Sequence, residues 1–427
     1  MFPILIVAAL LLFTGLAWRD LRLGLFLIAA ALPSYLIRFS LQGFPTTLLE
    51  VLIIILIIIW LIKRPFSIRS DQIRSWLIPI ALLIIAATLG IFVSPDKMAA
   101  LGVWKAYFIE PLIIFFIALD LLKEKSDQAK LMNYLGIGAL FIAFFAIWQK
   151  FTLWGIPAPW NIEGRVVSIF PYPNAVGLYL GPIIALGFFS LISNMQNITR
   201  QSLVRLRRIS RPRQFISNPF NIFWLATITL SSLAIVFAQT EAAYFALPAA
   251  VVLILIFFTK YQKPAIVIAL IIIALLAIIP PARHAVWQKI SLQDYSGTVR
   301  LAQWQETWHL LKDQPLFGAG LAGYPTALAP YHARTDLEIF QYPHNLILNT
   351  WTELGLLGLL ASLIFIWLLG HRLFIPTSAQ RSWLTLAAAA ALLEMIIHGL
   401  VDVPYFKNDL AVLTWLIIAL VLLSTKP

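Results

Sequence analysis

Residues 46–62 read TTLLEVLIIILIIIWLI, and Lys63 and Arg64 follow at once. The run holds one ionisable side chain, Glu50. At ~1.5 Å rise per residue it is just long enough to cross the ~30 Å hydrocarbon core of a bilayer as an α-helix. Comparable runs fall at residues 2–17, 21–37, 76–93, 104–122, 131–152, 175–193, 219–238, 242–258, 264–280, 346–369, 383–399 and 408–424. The first two are short, so the expected number of spans is twelve or thirteen, twelve if those two form one hairpin-like element. Of the 427 residues, 61% are hydrophobic and 12% charged, against about 45–50% and about 25% in soluble domains. Water cannot be the only solvent for such a chain. A transmembrane barrel would instead show weakly alternating segments of about ten residues. The fold class is therefore an all-α polytopic membrane protein.

The cations sort the connecting segments into two sets. Arg19, Arg22, Lys63, Arg64, Arg69, Arg74, Lys123, Lys125, Lys130, six arginines in residues 200–213, Lys260, Lys263, Arg372, Arg381 and Lys426 fall in alternate loops. The intervening loops hold Arg38, Lys97, Lys105, Lys150, Arg165 and Lys407. Positive residues stay cytoplasmic, which puts the first set and the C-terminus inside and the interval 281–345 outside. The net charge of +12 thus reads as topology rather than nucleic-acid binding. The arginine run at 200–213 reads as a cytoplasmic retention signal against lipid head groups. There is no cysteine, so no disulfide or thiol chemistry. The N-terminal run lacks a basic n-region and reads as a retained helix rather than a cleaved signal.

Three parts are then expected within one integrated domain: an N-terminal bundle over 1–280, an extracytoplasmic loop with catalytic elements and short helices over 281–345, and C-terminal helices over 346–427. The loop is the only long polar interval and holds four of the six histidines, His284, His309, His332 and His344. In TVRLAQWQETWHLLK (298–312), Leu301, Trp304, Trp308 and Leu311 share one helical face, and Arg300, Gln303 and Thr307 form a polar stripe on another. This predicts an interfacial helix that either points Arg300 at the bundle or merely anchors in lipid. Arg165 lies in a proline-rich polar loop, as a site residue or an interfacial snorkelling cation. His344 precedes the span starting near Leu346, with Asn345 as its cap. A helix N-terminus disfavours a nearby cation, which would keep the imidazole neutral, the form a general base requires. The other reading of His344 is structural.

Other signals exclude more than they assign. Gly318-Ala-Gly320-Leu-Ala-Gly323 matches a dinucleotide string but has no βαβ context, so it reads as a flexible turn. The acidic residues and histidines show no metal-ligand spacing. Glu50, Glu110, Glu353, Glu394, His398 and Asp402 are ionisable groups in or beside spans, where charge is costly. Asp402 and His398 lie nearest the outer face.

Taken with RVVSIFPYPN (165–174), VRLAQWQETWHLLKDQPLFGAGLAGY (299–324), PHNLILNTWTELGLLGLL (343–360) and HGLVDVP (398–404), the chain resembles the O-antigen ligase and polymerase superfamily of bacterial envelope glycan transferases. The resemblance implies a GT-C-like fold and a metal-independent glycosyltransferase with no cofactor. It implies transfer from a polyprenyl-diphosphate-linked glycan, such as undecaprenyl diphosphate, to a glycan, lipid or protein acceptor at the outer face of the cytoplasmic membrane. By the same resemblance Arg165 and Arg300 bind the donor pyrophosphate and His344 is catalytic. Tyr172, Asn174, Asn345, Asp402 and His398 are supporting candidates. Where many relatives carry a Ser-Arg-Gly-like run, this chain reads Gln239-Thr240-Glu241, an anion in place of a cation. The alternatives are a polysaccharide polymerase of the same superfamily and a lipid-linked glycan flippase. A flippase would concentrate cations in a central cavity, whereas here they sit at the outer edge beside a long loop.

Overall fold

The computed structural model describes residues 2–41, 43–64, 70–204, 215, 217–374 and 382–424. It is a helical bundle whose only strands, among the described residues, are the short antiparallel pair Arg38–Leu41 and Phe44–Thr47. Among the described residues, seven helices are long and apolar enough to cross a membrane: Ile73–Val93, Lys97–Leu121, Lys125–Thr152, Asn174–Ile198, Pro219–Ala238, Glu241–Phe258 and Leu346–Leu373. Gln262–Ile278 and Arg283–Asp313 pass the same test as a pair bent by 101°. Shorter apolar helices fill the remaining places, among them Trp383–His398 and Asn408–Ser424. These match the predicted segments closely, with one exception. The expected span at 21–37 stops at Ala30 after ten residues, about 15 Å of helix and too short to cross. Pro33 cannot donate a backbone hydrogen bond to a continuing helix. The chain instead tightens into a 3₁₀ turn at Leu32–Leu36 and enters the hairpin.

The centre of the bundle is Asn174–Ile198, with 83% of its apolar window buried. It packs against Trp383–His398, Pro219–Ala238 and Glu241–Phe258. Polar contacts gather at the two ends of the helices. At one end Arg22 reaches Asp127 at 3.0 Å, Trp60 donates to Asp120 at 3.0 Å, and Arg64 and Lys123 flank the same aspartate. These residues come from loops that the charge pattern groups together. Loops of the other group meet at the opposite end, where Lys289 pairs with Glu241 and Arg300 bonds the backbone at Val401. The paired Glu241 is the residue that departs from the superfamily pattern. Most of the arginine run, 205–213, together with Arg69, Arg381 and Lys426, lies outside the described residues.

Helix Leu346–Phe374 is broken at Gly355, where φ is 67°. A break leaves backbone groups that lipid cannot satisfy, so they must be met by protein. The segment 316–322 meets them. Leu356 N–H donates to Leu316 O, Ala319 and Gly320 donate to Thr352 O, and Ala322 N–H donates to the buried Glu353 carboxylate. Gly318 has φ 62°, and a Cβ there would lie 2.4 Å from Thr352 O. The glycine-rich string is therefore not the flexible turn expected of it. It is a close-packed plug, with glycine required by positive φ and by backbone approach.

The interval 281–345 contains helices Pro280–Ile290, Tyr295–Asp313 and Tyr324–Leu328. On the second of these, Gln303 and Thr307 are buried while Leu301 and Trp308 are exposed, as an inward polar stripe requires. The expected apolar face holds only in part. Leu311 is buried, and the Trp304 indole N–H donates inward to Pro343 O at 2.8 Å.

Candidate functional site

The loop 399–407 carries the cluster. Asp402 is buried, with 1% of its surface exposed. Its Oδ1 accepts from the Val403 N–H at 2.8 Å, and its Oδ2 accepts from Asn174 Nδ2 at 3.3 Å. His344 Nδ1 lies 3.6 Å from Oδ1, within ion-pair range and slightly long for a hydrogen bond. Burial alone would raise the Asp402 carboxyl. His344, His398 and the Val403 N–H outweigh it and hold the group at about 2, so it is a carboxylate at neutral pH.

His344 adopts φ 47°, a left-handed conformation uncommon outside glycine although enriched for histidine. It places the imidazole between the rings of Phe340 and Tyr342, at centroid distances of 5.3 and 4.9 Å. Nδ1 is enclosed while 19% of the side chain stays accessible, so the open part of the ring lies away from Asp402. Asn345 is the cap that the sequence predicts. Its Oδ1 accepts from the N–H groups of Ile347 and Leu348 at 3.0 Å, and its Nδ2 donates to Leu400 O. One asparagine thus ties the start of helix Leu346–Phe374 to the Asp402 loop.

The two arginines reach this cluster from different directions. Arg165 donates through Nε to Ala238 O at 3.2 Å and through Nη2 to Asn174 Oδ1 and Gln239 O, both at 3.4 Å. Its guanidinium also lies 5.0 Å from the Trp160 ring and 3.6 Å from Glu163. The Ala238 and Gln239 carbonyls end a helix, a natural place for a cation. Asn174 joins Arg165 to Asp402. Arg300 Nε donates to Val401 O at 2.9 Å, one residue from Asp402. That is the one hydrogen bond its guanidinium makes among the described residues, which leaves both Nη groups open.

Tyr172 OH bonds Tyr342 OH at 3.1 Å. Burial, with Asp402 nearby, pushes the Tyr342 phenol well up, so it stays a neutral donor. His398 is buried behind the cluster with Nδ1 3.1 Å from Glu394 Oε1. Thus Arg165, Tyr172, Asn174, Arg300, His344, Asn345 and Asp402 come together at one end of the bundle, with His398 adjoining. His284 and His309 are exposed, and His332 bonds Glu306 and Leu337 O. Of the ionisable groups in or near spans, Glu50 pairs with Lys105 and Glu353 holds the plug.

Sequence reasoning missed two residues here. Lys407, counted only as a topological cation, packs on the Tyr172 ring. Gln303, one turn after Arg300, is 3% exposed, and neither of its amide atoms has a hydrogen-bond partner among the described residues. Its inward face was legible from the stripe, but its isolation was not.

These features define a polytopic α-helical membrane protein with a polar site of arginine, histidine and aspartate at one end of its bundle. Residues 226–363 match the family model described as O-Antigen ligase, which supports an O-antigen ligase superfamily member. The matched segment includes Arg300 and His344 and leaves Arg165 and Asp402 on either side. A Haemophilus influenzae protein described as uncharacterized is similar, at 24% identity over 306 residues, covering 64% of this chain and 72% of that protein.

Proposed function

We propose that the chain is a membrane glycosyltransferase that passes a glycan from a polyprenyl-diphosphate donor to an acceptor hydroxyl at the outer face of the cytoplasmic membrane. The observation that carries this reading is the convergence of Arg165, Arg300 and His344 around the buried Asp402 carboxylate. The acceptor oxygen attacks the anomeric carbon and forms the new glycosidic bond. The bond from that carbon to the pyrophosphate oxygen breaks, and its electron pair stays on the departing polyprenyl diphosphate. The acceptor proton passes to His344. Asp402, facing Nδ1, orients the ring and balances the imidazolium, leaving the other ring nitrogen to take the proton. Charge grows on the pyrophosphate as the bond breaks, and fixed guanidinium groups stabilise it without reorganising. Arg300, with two open Nη groups, is the direct ligand. Arg165 is held by carbonyls and Asn174, and its remaining charge adds to the local field.

The acceptor is a hydroxyl-bearing glycan, lipid or protein, so the same chemistry covers ligation and polymerisation. The test is transfer of a radiolabelled glycan from its polyprenyl diphosphate by the purified protein in liposomes. A new glycosidic product supports the reading. Movement of the donor between leaflets with no product would overturn it.

A further inference from the structure

Lys407 lies at the end of the Asp402 loop, directly before helix Asn408–Ser424. Its Nζ is enclosed and has no hydrogen-bond partner among the described residues. No carboxylate oxygen among the described residues lies within 4.0 Å of it. Its contact is the face of Tyr172, 4.0 Å from Nζ to the ring centroid. Burial pushes the ammonium down, and the charge of Asp409 acts in the opposite direction. An enclosed ammonium without a hydrogen-bonded counter-ion is costly. A cation–π contact offsets part of that cost, but three N–H donors remain unused.

The surroundings show what such a cation faces. The Tyr172 hydroxyl bonds Tyr342, whose ring meets the His344 imidazole edge-on. Two residues along, Asn174 joins Arg165 to Asp402. Lys407 is therefore linked to the candidate base through the rings of Tyr172 and Tyr342, and Tyr172 lies two residues from the asparagine that holds Arg165. We propose that Lys407 is a third cation of the donor site, which donates to the pyrophosphate of the polyprenyl donor and is left without a partner until that anion arrives. The proposal rests on the glycosyl-transfer reading and adds a specificity-determining residue to it. Lys407 recognises the diphosphate, and Tyr172 positions the ammonium.

The test uses the full-length protein in lipid nanodiscs with three probes that share one tail: farnesyl pyrophosphate, farnesyl monophosphate and farnesol. Inorganic pyrophosphate is the fourth probe and separates a lipid-borne anion from a free one. The wild-type protein is expected to prefer farnesyl pyrophosphate to farnesol and to inorganic pyrophosphate. A lost hydrogen bond to a charged group predicts that Lys407→Gln weakens farnesyl pyrophosphate binding by roughly tenfold to a hundredfold, with farnesol unchanged. Lys407→Arg, which keeps the charge, should restore most of the loss. A Lys407→Gln protein with wild-type pyrophosphate affinity overturns the proposal. So does equal weakening for farnesol, because that is the mark of a purely structural lysine. Glycan transfer separates the two levels. If the wild type transfers glycan and Lys407→Gln transfers equally well, only the Lys407 assignment falls. If the wild type neither prefers the pyrophosphate nor transfers glycan, the underlying reading falls with it.

Discussion

Replacing Arg300 by lysine keeps the charge and removes the planar fork. In the structure, Arg300 Nε is committed to Val401 O at 2.9 Å, and this bond aims the two Nη groups. A lysine has one nitrogen for both tasks. If it serves the carbonyl it leaves the donor, and if it serves the donor it leaves the turn beside Asp402 untied. Either way about one charge-assisted hydrogen bond is lost, and such bonds contribute about 1.5–3 kcal/mol each. A loss of about 2 kcal/mol corresponds to about 30-fold in kcat/KM. Arg300→Ala removes the charge as well, and loss of a preorganised donor of this kind costs on the order of 10²–10³-fold. The assay is the initial rate of glycan transfer from the polyprenyl diphosphate in proteoliposomes, at subsaturating donor. Thermal melting of each variant separates folding from chemistry. Well-folded Arg300→Lys and Arg300→Ala proteins with kcat/KM within about twofold of wild type would refute the reasoning, since that difference is about 0.4 kcal/mol.

His344→Ala is expected to abolish transfer while leaving donor binding nearly intact, and His344→Gln should do the same because it hydrogen-bonds without accepting a proton. Normal turnover per folded molecule in either variant would return His344 to a structural role, and exposed His309 serves as the control. Cysteines placed at Ser296 and Thr335, both exposed, should react with an impermeant thiol reagent on intact cells. Labelling only after lysis would invert the topology and remove the site from the outer face. The third test concerns pH. Hydrogen bonding to Glu306 raises the His332 imidazole above its ordinary value, so this contact stabilises the loop fully below about 6.5 and is lost as pH rises through the raised value. Proteolytic nicking at Arg334 should increase over that interval in wild type and stay flat in Glu306→Gln. An identical profile in both would mean that the pair does not hold the loop.

Much of this protein is written in local composition. An apolar run such as 46–62 has no stable place in water, and backbone groups in lipid must bond within their own segment, so length and hydropathy dictate helices almost unaided. Charge alternation likewise sorted the loops before any contact was known, and the two polar layers of the bundle respect that sorting. The cap at Asn345 and the buried Gln303–Thr307 stripe were legible because both follow from spacing along one helix. Local rules failed where a distant segment supplies the partner. The expected span at 21–37 stops at Ala30 because a 3₁₀ turn with Pro33 and a hairpin replace its continuation. The glycine string at 318–323 looks mobile until helix Leu346–Phe374 breaks at Gly355 and takes it in as hydrogen-bond partner. Only tertiary structure could bring Arg165, Arg300, His344 and Asp402 to one place, because four segments of the chain meet there. It alone could show that Lys407, one more cation in an outer loop by sequence, ends enclosed against Tyr172 with its donors unused. Burial and pairing belong to the packed bundle, and no stretch of the chain carries them by itself.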